Sequence, residues 1–97
     1  MNSSTKLSLE STVSISPSQA SSELLGEIVI LELNSGVYYG LNETGSLIWN
    51  LLLSGKTLTE IQESILAEYE LEPEQCTQYI LKLVKQLADK GLLEISA

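Results

Sequence analysis

The stretch Val37-Tyr38-Tyr39-Gly40-Leu41-Asn42-Glu43-Thr44-Gly45-Ser46-Leu47-Ile48-Trp49-Asn50-Leu51-Leu52 changes its hydrophobic period in the middle. Val37, Tyr39 and Leu41 alternate with Tyr38 and Gly40, which predicts a strand with Val37, Tyr39 and Leu41 on one face and a gap at Gly40 on the other. From Asn42 onward the apolar residues Leu47, Ile48, Leu51 and Leu52 recur at three and four residue spacing, so a helix begins there. Asn42 supplies its cap and Ser54-Gly55 its end. Adjacent tyrosines on a strand must face opposite sides, so one of Tyr38 and Tyr39 packs inward and the other is left for a ligand or for water. Trp49 is expected to complete the core.

Upstream, Leu7, Leu9, Val13 and Ile15 fall on odd positions between polar residues, the pattern of a first strand, with Ser11 breaking the row. Ser16 to Ser22, with Pro17 and four serines, reads as a loop. The run Ile28-Val29-Ile30-Leu31, with Leu33, predicts a second, central strand, and Asn34-Ser35-Gly36 a hairpin turn into the third. Downstream, Thr57 with Glu60 forms a capping box for a second helix with the stripe Leu58, Ile61, Ile65 and Tyr69. Pro73 suits the first turn of a third helix with the stripe Cys76, Ile80, Leu83, Val84 and Leu87, stopped by Gly91. Leu92, Leu93 and Ile95 add a short last strand or seal the core. Residues 1–6 are expected to be disordered and residues 7–97 to form a single domain of class α+β, three strands followed by three helices.

Thirteen Asp and Glu against five Lys give a formal net charge of -8 and oppose docking on nucleic acid or an anionic membrane. With no histidine and one cysteine there is no metal-ligand set and no Ser-His or Cys-His pair. The six glycines match no phosphate-cradling motif, so no cofactor is expected. Cys76, early in the third helix, is read as a small buried core residue. No segment approaches the roughly 18 apolar residues of a membrane span, and the expected location is cytoplasmic.

The segment Leu41 to Leu52 resembles the LN-E-T-G-x-x-I-W-x-L-L stretch of PqqD-like proteins. The Gly55-Lys56-Thr57-Leu58-Thr59-Glu60-Ile61 helix start and the ending Lys90-Gly91-Leu92-Leu93-Glu94 agree with it. The resemblance implies a winged-helix-like domain, a three-stranded antiparallel sheet with three helices. It also implies a non-catalytic recognition element for the leader of a ribosomally made precursor peptide. In such proteins the leader adds as a strand beside the third strand, here Val37, Tyr38, Tyr39, Gly40 and Leu41, and lies against the third helix. The flank Gln75, Cys76, Tyr79, Lys82, Leu83 and Gln86 is the expected groove wall, with Tyr79 the foremost candidate. The implied partners are the precursor peptide and a modifying enzyme, either a leader peptidase and cyclase of a lasso-peptide pathway or a radical-SAM enzyme. The chain itself would be a monomer or weak homodimer. The competing reading is a winged-helix DNA-binding regulator, which the acidic second helix disfavours.

Overall fold

Asn42 does cap the helix that follows it. In a computed structural model, which describes residues 7–96, its side chain accepts from the Gly45 N–H at 2.8 Å and opens α1 (Glu43–Leu53). A Cβ on Gly45 would lie 3.3 Å from Asn42 Oδ1 and 3.4 Å from Leu41 Cβ, so glycine lets the strand-to-helix corner close. The Thr57/Glu60 capping box starts α2 (Leu58–Glu68), and Pro73 starts α3 (Pro73–Asp89). Ahead of the helices run β1 (Thr12–Ile15), β2 (Gln19–Leu24), β3 (Glu27–Glu32) and β4 (Val37–Gly40), and β5 (Leu93–Ser96) follows them.

The three-stranded antiparallel sheet has the order β2-β3-β4, with the apolar β3 central as its sequence required. Its first strand is not the Leu7–Ile15 segment. That segment forms a turn at Ser8–Ser11 and then β1, which pairs with β5 in a separate two-stranded sheet. The strand beside β3 is instead β2, in the serine-rich stretch expected to be a loop. Serine has little strand propensity of its own, and here two tertiary features override it. A full antiparallel register with β3 satisfies the β2 backbone, and Ser21 Oγ accepts the Trp49 indole N–H at 3.2 Å. Neither feature is local in sequence. The fold class stands: a three-stranded antiparallel sheet with three helices. Residues 1–6, expected to be disordered, lie outside the described residues.

Ile28 and Ile30 of β3 meet Ile48, Trp49 and Leu52 of α1, and α2, α3 and Leu92-Leu93 close the core with Leu58, Ile61, Ile65, Ile80, Val84 and Leu87. Ser46 Oγ, buried here, accepts from the Ile28 N–H at 2.8 Å and donates to the Leu41 carbonyl at 3.3 Å, fixing α1 to both strands. Among the described residues no helix is long and apolar enough to cross a membrane.

The β2–β3 hairpin turns on Leu25 and Gly26, both at positive φ, 54° and 85°. This geometry suits Asn-Gly and strains leucine, whose side chain is 97% exposed and has no packing to lose. Leu25→Asn is expected to stabilise the chain by ~0.5–1 kcal/mol, read as a rise in Tm. An unchanged or lower Tm would contradict the strained turn.

Glu32, at the end of β3, bends back over the Asn34-Ser35 turn. Its carboxylate accepts from the Ser35 N–H at 2.8 Å and the Asn34 N–H at 3.2 Å. The Ser35 hydroxyl, and after it the Ser35 and Asn34 N–H groups, hold its pKa below the ordinary value. A depressed carboxylate stabilises the fold above its unfolded pKa and loses that contribution as the pH falls through the folded value. The stability gap between the native chain and Glu32→Gln is therefore expected to be full near neutral pH and to shrink on acidification below about pH 4.5, measured by thermal unfolding across pH. A constant gap would exclude this role.

A candidate peptide-binding groove

β4 pairs with β3 on one side only, so its other edge is open. The Leu41 N–H donates to the Ile28 carbonyl at 2.9 Å, and in an antiparallel ladder such pairs alternate. Tyr39 therefore also turns its N–H and C=O toward β3, while Tyr38 and Gly40 turn theirs outward. Two donors and two acceptors face the free edge. A Cβ at Gly40 would meet nothing within 4 Å. It would stand off the sheet on the Tyr38 face, so what Gly40 offers a neighbouring strand is its N–H and C=O more than a missing side chain.

The tyrosine pair divides as adjacent strand residues must. Tyr38 is 68% exposed on the outer face, whereas Tyr39 is half-buried against the core with Lys90 Nζ 5.4 Å from its ring centroid. A charge at Tyr39 would therefore disturb packing as well as any ligand.

Between β4 and α3 lies a groove of about 520 Å³. Its strand wall includes Tyr38, Tyr39, Gly40 and Leu41, and its helix wall Tyr79, Lys82, Leu83 and Gln86, all expected from the sequence. Val37 is exposed and does not line it. Gln75 and Cys76 line a second cavity of about 550 Å³ beside α2, which shares Tyr79 and Lys82 with the first. The Cys76 thiol is buried, 1% exposed, and desolvation raises its pKa, which favours the neutral thiol of a core residue. Tyr79 stands between the cavities, partly exposed, its hydroxyl donating to Asn42 Oδ1 at 3.4 Å.

Sequence reading missed Asn42, Gly45, Leu87 and Lys90 in the groove and Thr44, Ile65, Tyr69, Leu71 and Gln78 in the second cavity. Spacing offered a signal for two of them, since Gln78, Lys82, Gln86 and Lys90 follow one another every fourth residue. The cap residues needed the corner geometry. The arrangement pairs an unsatisfied strand edge with a helix wall that mixes Tyr79, Leu83 and Leu87 with Lys82, Gln86 and Lys90, the two parts that an extended peptide requires. Among the described residues no cluster of His, Cys, Asp and Glu is placed to hold a metal ion.

Residues 27–93 match the family model of coenzyme PQQ synthesis protein D, PqqD. No curated protein matches the chain. Among solved structures, TbiB1 in complex with the TbiA(beta) leader peptide is similar at 38% identity and a TM-score of 0.83, over 87% of this chain and 98% of that one. A lasso peptide synthetase B1 complexed with the leader peptide is similar at 28% identity and a TM-score of 0.79, over 84% and 96%. With the β4 edge, the capped corner at Asn42 and the family model spanning most of the described residues, the chain belongs to the PqqD family.

Proposed function

We propose that this chain is a non-catalytic recognition element that binds the leader segment of a ribosomally synthesised precursor peptide. The leader adds as a fourth strand on the free edge of β4, and its inward-facing side chains lie against α3. The observation that carries this reading is the coincidence of an open strand edge with a groove walled by that same strand and by Tyr79, Lys82, Leu83 and Gln86. It is supported by two similar chains that were solved as complexes with leader peptides.

The chemistry of modification then belongs to a partner, and this chain raises the local concentration of the precursor at that enzyme. A leader peptidase and cyclase of a lasso-peptide pathway is the partner type that the similar lasso synthetase B1 chain favours over a radical-SAM enzyme. Any self-association must be weak enough to leave β4 free. DNA binding is disfavoured because α2 presents Glu60, Glu63 and Glu68 and carries no Lys or Arg.

Tyr79→Ala removes the wall between the two cavities and its bond to Asn42. It is expected to weaken leader binding by about 1–2 kcal/mol, roughly tenfold, while the fold persists because the side chain is partly exposed. Calorimetry with the leader of the precursor that co-purifies with this chain checks it, and unchanged affinity would remove Tyr79 from the site.

A further inference from the structure

The chain carries thirteen carboxylates and five lysines, yet no Asp or Glu lines the groove or the adjoining cavity, while Lys82 and Lys90 do. Among the described residues the ion pair on this helix is Lys85 with Asp89, at 3.8 Å, which leaves Lys82 and Lys90 without a carboxylate partner. Glu43 adjoins the groove residue Asn42 in sequence but does not line the groove. Glu27 lines a separate cavity that shares Gly40, Leu41 and Asn42 with the groove, so the charged side chains of the groove lining itself are the two lysines.

Their spacing has a counterpart in an added strand. Lys82, Gln86 and Lys90 form one row at every fourth position, each step rising about 6 Å along the helix. Every second residue of an extended strand advances about 6.8 Å on the same face. Tyr79 meets Asn42 and Lys90 lies over Tyr39, so α3 and β4 run in opposite senses, and for a strand laid along α3 the two ladders stay in step over three positions to within about 1.6 Å, a mismatch that lysine stems absorb.

We infer that the groove selects an acidic leader, one with carboxylates at positions i and i+4 of the added strand against Lys82 and Lys90, and a neutral side chain at i+2 against Gln86. The inference rests on the leader-binding reading and deepens it by naming the ligand's charge pattern. Either strand direction satisfies it, because the row is symmetric about Gln86.

The test is selection from a randomised displayed library of 12-residue peptides on three forms: the native chain, Lys82→Glu/Lys90→Glu, and Gly40→Pro as a blocked-edge control. Peptides that bind the native chain and not Gly40→Pro are expected to be enriched in Asp or Glu pairs four residues apart. The charge-reversed chain is expected to select Lys or Arg there instead. For one selected acidic peptide, Lys82→Gln/Lys90→Gln should lower affinity about tenfold at low salt and much less at high salt. Edge-dependent binders without acidic pairs, identical on native and charge-reversed chains, would overturn the inference and leave leader binding standing. Recovery of no edge-dependent binder would count against leader binding itself, and the inference would fall with it. Circular dichroism of each variant confirms the fold; if the charge-reversed form does not fold, the glutamine pair, with its expected loss of acidic enrichment, takes its place.

Discussion

Trp49→Ala is expected to destabilise the chain by about 3–5 kcal/mol, a large share of the roughly 5–15 kcal/mol available to a domain of this size. Trp49 is completely buried in α1, so truncation leaves a cavity between that helix and the sheet. It also strands Ser21, whose hydroxyl accepts the indole N–H and ties the weakly strand-forming β2 to the core. Trp49→Phe, which keeps most of the volume and loses that bond, should cost far less. Urea unfolding followed by circular dichroism at 222 nm, a far-ultraviolet helix signal, reads both. A loss under about 1 kcal/mol for the alanine variant would mean that the core does not close on Trp49.

The largest effect on binding is expected from Gly40→Pro. Proline is tolerated on a strand edge when its missing N–H would have faced solvent, and Gly40 turns its N–H away from β3. The β3–β4 ladder therefore survives, as do Tyr39, Leu41 and the α3 wall. What is lost is one donor of the outward ladder, and the leader carbonyl opposite it is left unpaired beside the proline ring. Together these are worth roughly 2–3 kcal/mol, on the order of a hundredfold in affinity. Gly40→Ala keeps the N–H and adds a Cβ that meets nothing within 4 Å, so it is the matched control.

Much of this was legible in the sequence. The period change at Asn42, the Thr57/Glu60 box and Pro73 are local signals, and each helix starts where its cap chemistry placed it. β3 and β4 were legible because apolar runs and a Gly36 turn are local too. β2 was not, because Ser21 and Ser22 become strand residues only through β3 and Trp49, partners that lie elsewhere in the chain. The pairing of β1 with β5 joins residues about eighty positions apart and leaves no local trace. In the groove, Tyr79, Lys82, Leu83 and Gln86 could be named because the PqqD resemblance implies a leader against the third helix and helical spacing picks out one flank of it. Cys76 and Gln75 share that spacing but face the second cavity, since α3 passes from α2 to β4 along its length. Lys90 lies just past the end of the helix, at its C-cap, where a stripe defined on apolar residues does not reach.

The central claim is that recognition runs through the outward backbone of β4. Titrating one leader peptide into the native chain, Gly40→Ala and Gly40→Pro by calorimetry, with thermal unfolding of all three alongside, tests it most directly. Strand addition predicts near-native affinity for the alanine variant and a loss on the order of a hundredfold for the proline variant, at similar unfolding temperatures. Equal affinity for the two variants would contradict it.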